Sequence, residues 1–189
     1  MDKSDLRRKH LQRRHQISEA TRQRLSSLIF TKLQDYLQRY ASVGVYISTK
    51  DEVDTRDIIA YLFEHHKKVC VPLVTSQGMI FVAIESLIET KVNSMGILEP
   101  INTTACAEPE LMIIPMLAFN QRAFRLGYGK AYYDGYLKGY SGFKLGLCFD
   151  FNEEVELMEE EHDVACDLIL TNAHDIINKL DIISALGDV

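Results

Sequence analysis

Six short apolar runs, at residues 43–47, 69–74, 79–84, 111–117, 144–149 and 167–171, punctuate the chain, and a helix-spaced set, Ile58, Ile59, Leu62 and Phe63, separates the first two. Runs that stay apolar at successive positions suit strands buried on both faces, which a parallel sheet flanked by helices provides. Strands that alternate with helices need crossover connections, and these build open α/β sheets. The expected fold class is therefore α/β: a single domain over residues 1–189, three layers α/β/α, with a mainly parallel sheet. Residues 3–15 read as a short charged helix. Ser18 then caps a longer one with the stripe Leu25, Leu28, Ile29, Leu33, Tyr36 and Leu37, and Asp54 is placed to cap the helix that follows the first strand. Residues 85–109 are the least regular part and suggest a surface flap.

The run Arg125-Leu-Gly-Tyr-Gly-Lys-Ala-Tyr-Tyr-Asp134 follows the apolar run 111–117. Gly127 and Gly129 allow positive φ and close approach of backbone amides to an anion. Arg125 and Lys130 add a planar fork and a point charge. Helical spacing from Ala131 (Tyr132, Tyr133, Tyr136, Leu137) predicts that the loop feeds a helix N-terminus, where the dipole also favours an anion. Asp134 would stand in the first turn, where a carboxylate can hold a divalent cation bridging phosphates. The run matches neither a P-loop nor a dinucleotide fingerprint. Phosphate binding and a plain glycine turn both remain open on these residues alone.

The 189 residues, 47% apolar, are enough for one substantial core, and no apolar run is long enough to span a bilayer. The charged start, Met1 to Arg8, has no apolar stretch behind it, so a secretory signal is not expected and a soluble, cytoplasmic protein is. Cys70, Cys106, Cys148 and Cys166 form no CxxC pair and read as reduced core thiols; the six histidines show no zinc spacing. Ten of the 21 basic residues lie within the first 39 positions, yet the net charge is −6. That balance argues against a dedicated nucleic-acid partner and for a small polyanionic ligand. The acidic stretch 153–163 reads as a solvated surface.

With these residues placed, the chain resembles the 5-formyltetrahydrofolate cyclo-ligase family over nearly its full length. The family's Lys-x-x-x-Arg is matched by Lys3 and Arg7, its Glu-Val-Asp-Thr by residues 52–55, and its Met-x-Phe by Met79 and Phe81. Its Gly-Ile-x-Glu-Pro is matched by residues 96–100, its Pro-x-Leu-Ala-Phe by 115–119, and its Arg-Leu-Gly-x-Gly-Lys-x-x-Tyr-Asp by 125–134. Four positions depart from the pattern: Asn120 for the usual Asp, Ala131 for Gly, Gly135 for a frequent cation, and Asn152 for a common Gln. A methyl at position 131 is expected to be tolerated only if φ is negative.

The resemblance implies an architecture similar to the NagB/RpiA/CoA-transferase-like fold, and an enzyme, active as a monomer, that uses ATP as co-substrate and Mg2+ to convert 5-formyltetrahydrofolate to 5,10-methenyltetrahydrofolate. Arg125 and Lys130 become the catalytic cations. Lys3, Arg7, Leu126, Gly127, Tyr128, Gly129, Ala131, Tyr132 and Tyr133 join them as ATP contacts. Lys3 and Arg7, one helical turn apart, share a face and could clamp a triphosphate. Asp134 resembles the metal ligand, and Asp167, at the start of the last strand, a second one or only a strand-end cap. Glu52 would read the pterin's N–H groups, with Ile47, Met95, Tyr128 and Tyr132 as apolar walls. His162 and Asp163 match a family pair and read as structural. A sugar-phosphate isomerase of related fold, or a non-catalytic nucleotide- or RNA-associated relative, would use similar phosphate-binding features.

Overall fold

The computed structural model describes residues 1–94 and 96–178. In chain order the elements are α1 (Lys3–His15), α2 (Glu19–Leu37), β1 (Ser42–Val45), α3 (Arg56–Glu64), β2 (Lys68–Thr75), β3 (Gly78–Ile84), β4 (Thr90–Val92), β5 (Leu98–Pro100), β6 (Leu111–Pro115), β7 (Ala118–Phe119), β8 (Arg125–Leu126), α4 (Tyr132–Leu137), β9 (Phe143–Leu147), β10 (Leu168–Leu170) and β11 (Asp175–Ile177). A seven-stranded sheet runs β11-β10-β9-β6-β1-β2-β3. Its five inner strands are parallel, while β3 and β11 pair antiparallel at the two edges.

Because side chains alternate across a strand, β6 feeds both faces at once. Leu111 and Ile113 join α2 (Leu25, Ile29, Leu33, Leu37) and α3 (Ile58, Ile59, Leu62) on one side. Met112 and Ile114 join Phe81, Leu137, Tyr140 and Ile169 on the other, under α4. Both faces are covered, which is why the inner strands carry unbroken apolar runs. Ser18 caps α2 as expected, its side chain accepting from the Thr21 amide at 3.1 Å. Asp54 acts one residue upstream of the cap position of α3 and accepts from the Arg56 amide at 3.0 Å. Within 85–109 the chain forms the small β4–β5 hairpin, and the Cys106 amide donates to Phe81 O at 2.8 Å, tying the return of this segment to β3. The four cysteines are free, with Cys106 half-buried and the other three buried. No described helix is long and apolar enough to cross a membrane.

The order of connections creates a switch point. From β1 the chain crosses over α3 to β2 on one side, whereas β6 lies on the other side and leads outward to β9 and β10. The loops leaving the carboxyl ends of β1 and β6 therefore diverge, the arrangement that in open α/β sheets makes a crevice for ligands. α1 covers neither sheet face. It lies across these strand ends, where Leu6 packs with Ala118, Leu126 and Leu157 in a small cluster of its own. With a single fully buried leucine, the helix is docked mainly by polar side chains.

Candidate active site

Arg14, on the last turn of α1, is 4% exposed and supplies most of that docking. Its guanidinium donates to Asn152 Oδ1 (3.1 Å), Asp51 O (3.0 Å), Leu117 O (3.2 Å), the Tyr128 hydroxyl (3.3 Å) and Met116 O, and it stands over the Phe149 ring at 5.6 Å. Since Asn152 Oδ1 accepts from Arg14, its Nδ2 faces His10 Nδ1 at 2.8 Å. The proton of His10 therefore sits on Nε2 and is donated to Glu154 at 2.9 Å. Burial lowers the His10 pKa despite the adjacent carboxylate, so the ring is neutral and Lys9, at 2.6 Å, is the cation that holds Glu154 ionised. Nothing in the spacing of Arg14 marks it; only the strand carbonyls it reaches, far away in sequence, reveal its place.

One turn before this network, Arg7 lies on the glycine loop. Its Nε donates to Gly127 O at 2.9 Å. The φ of +91° at Gly129 calls for glycine, and a side chain there would also crowd the Arg7 guanidinium at 3.3 Å. Gly127 is different: its φ is not positive and a Cβ would meet nothing, so only Gly129 fulfils the expected role. Lys130 is exposed and makes no hydrogen bond or ion pair with other described residues. Lys3 pairs with Asp163 (2.7 Å) and Glu160 (3.2 Å). Burial alone would lower its pKa, but the two carboxylates outweigh that and raise it.

Two features of the loop differ from expectation. The β7–β8 hairpin intervenes between β6 and the glycines, so Arg125 sits on a strand, 7% exposed, donating to Val164 O at 2.7 Å and to Asp134. Ala131 adopts φ +53° and ψ +15°, the left-handed conformation that a methyl group tolerates poorly. α4, which it caps, has only six residues, so amides and cations, more than a helix dipole, are what the loop offers an anion.

Across the crevice, Glu52 in the loop after β1 is 8% exposed, and its Oε2 accepts from the Thr49 amide (2.7 Å) and hydroxyl (3.0 Å). The Tyr128 ring is 41% exposed while its hydroxyl points inward to Arg14; burial first, and the charge of Glu52 next, push that hydroxyl well above its usual range. Tyr132 is exposed, whereas Ile47 is buried in the core beneath the site and is no open wall. Met95 lies outside the described residues.

Asp167 is not with the others. It accepts from the Lys144 amide at 2.6 Å and pairs with Lys144 Nζ at 3.1 Å, beside the amino ends of β9 and β10 and so at the opposite end of the strands. Its role is to hold the entry of β10. The carboxylate that does come to the end of the sheet where α1 docks is Asp163, bound to Lys3 just before Val164, whose carbonyl Arg125 grips. Two departures from the family pattern are structural. Asn120 accepts from the Arg122 and Phe124 amides and donates to Leu157 O at 3.1 Å, a donation an aspartate could not make; Asn152 links Arg14 to His10.

The chain that carries these α1 cations, glycine loop and buried acid matches known proteins over most of its length. The family model described as 5-formyltetrahydrofolate cyclo-ligase family matches residues 1–172. The chain belongs to this family. The cyclo-ligases are ligases, and the chain is an enzyme of that class. It is 31% identical over 163 residues to a probable 5-formyltetrahydrofolate cyclo-ligase of Schizosaccharomyces pombe, covering 71% of this chain and 76% of the relative. The cyclo-ligase of Mycoplasma genitalium is 28% identical, with 91% and 99% covered. Among solved structures, the 5,10-methenyltetrahydrofolate synthetase of Aquifex aeolicus superposes with a TM-score of 0.85 at 28% identity, covering 95% of this chain and 94% of that one.

Proposed function

We propose that this cyclo-ligase uses ATP and Mg2+ to convert 5-formyltetrahydrofolate to 5,10-methenyltetrahydrofolate, releasing ADP and phosphate. The observation that carries this reading is the Arg7–Gly127 contact at 2.9 Å, which brings a cation of α1 onto the glycine loop that carries Lys130. A formamide oxygen is a poor leaving group, so cyclisation needs it activated. The oxygen attacks the γ-phosphorus and the bond to ADP breaks. N10 of the folate then attacks the formyl carbon, the C–O bond breaks with its electron pair on oxygen, and the N10 proton leaves with the phosphate. The protein's work is positioning and charge neutralisation.

Arg7, Lys3 and Lys130 bind the triphosphate and Gly129 gives its amide close approach. Arg125 neutralises charge at the transferred group and fixes Asp134. Glu52 accepts from pterin N–H groups, with Tyr128 and Tyr132 against the rings. A single protein carboxylate suits a hard cation that keeps most of its ligands as water and phosphate oxygens. Asp134, in the first turn after the glycine loop, would hold Mg2+, which supplies neutralisation of the phosphate charge.

Ultraviolet detection of the methenyl product, with and without ATP, tests the reading directly. Product only in the presence of ATP supports it. Binding of a sugar phosphate without any response to ATP would favour an isomerase instead.

A further inference from the structure

Tyr133 opens α4 directly after the glycine loop, with its ring edge-on to Phe81 at a centroid distance of 6.4 Å. Its hydroxyl is closed off from solvent and is the one buried side-chain polar atom among the described residues without a hydrogen-bond partner. Native structures rarely leave such a group unpaired, because burial strips its water and returns nothing. The charged groups near enough to act on this hydroxyl are Glu52, in the loop after β1, and Arg125, on β8. A phenol is neutral at ordinary pH, so the hydroxyl is a donor.

We infer that the Tyr133 hydroxyl is a catalytic hydrogen-bond donor to the formyl oxygen of the folate, the atom that joins the pterin half of the site at Glu52 to the phosphate half at Arg125. The inference rests on the reaction proposed above. Only one substrate oxygen belongs to both halves, and it is the one that leaves with the phosphate. As the C–O bond breaks, its electron pair moves onto that oxygen, and a neutral donor stabilises the charge that develops there. The same hydrogen bond holds the formyl group in line with the γ-phosphorus before transfer. The sequence places Tyr133 among nucleotide contacts; its buried hydroxyl points instead to the junction of the two substrates.

The test is Tyr133→Phe, which removes one oxygen and leaves the ring packing intact. With no partner to lose, the variant should melt no lower than wild type. Its kcat should fall roughly 100- to 1,000-fold, the scale of one donor aimed at developing charge. The KM for ATP should stay within twofold, since the triphosphate is held by Arg7, Lys3 and Lys130. Turnover within threefold of wild type would overturn the inference, and so would a lower melting temperature, which would make the hydroxyl a structural group. Wild-type protein that formed no methenyl product from 5-formyltetrahydrofolate and ATP would overturn the reaction itself, and this assignment with it.

Discussion

Replacing Ala131 with glycine should stabilise the protein, against the usual cost of adding a glycine. Ala131 holds φ +53° and ψ +15° at the start of α4, where its Cβ crowds the carbonyl that follows. For a residue with a side chain this conformation costs roughly 1–2 kcal/mol, and glycine adopts it freely. Against that stands the greater freedom of glycine in the unfolded chain, worth about 0.4–1 kcal/mol. The methyl group is exposed, so no packing is lost. The balance is a gain of about 0.5–1 kcal/mol. In urea, at a slope of about 2 kcal/mol per molar, the midpoint should rise by about 0.3–0.5 M with the slope unchanged. Because the loop carries Lys130 and Gly129, ATP affinity should hold or improve, by no more than the matching factor of about two to five. A lower midpoint at the same slope would show that Ala131 is not strained and would refute the reasoning.

On the proposed assignment of Glu52 to the pterin, Glu52→Gln keeps the shape but turns one acceptor into a donor facing ring N–H groups, at a cost of about 1–3 kcal/mol, or roughly tenfold to a hundredfold in folate affinity, with ATP binding by calorimetry unaffected; loss of ATP binding with folate binding kept would reverse the two halves of the site. Arg14→Met leaves the Met116 and Leu117 carbonyls without their donor, and stability measured by denaturation should fall by about 3–5 kcal/mol; a change under 1 kcal/mol would remove Arg14 from the docking of α1. Acid should loosen α1 in two stages with the same sign. Below pH 6.5 the unfolded state takes a proton that buried His10 refuses, and as pH falls from 4.5 towards about 2 Glu154 loses the charge that Lys9 stabilises. The second stage is worth at most about 3 kcal/mol, and Glu154→Gln should remove it from the stability–pH curve while Asp54, also held near 2, keeps part of the acid limb.

The sheet was legible because burial on both faces leaves a mark at every position of a strand. The runs at 43–47, 69–74, 79–84, 111–117, 144–149 and 167–171 correspond to β1, β2, β3, β6, β9 and β10 within one or two residues. The β7–β8 and β4–β5 hairpins and the edge strand β11 were not legible, since two or three residues are too few to show a period. Order in the sheet also escapes periodicity, because it depends on which strands meet and not on what each one contains.

The sequence by itself determined the layers of this protein and its glycine-bracketed loop, because strand burial, helix capping and a clustered set of charges are local properties written in adjacent residues. Only the tertiary structure decided which distant groups share that loop. It placed Arg7 over Gly129, buried Arg14 among the carbonyls beyond β6, brought Asp163 to Lys3, and sent Asp167 to the opposite end of the strands with Lys144. Only three residues lie between those two acids, and a strand entry lies between their destinations. Charge carries no information about which end of a sheet it will reach; the register of β10 against β9 supplies it.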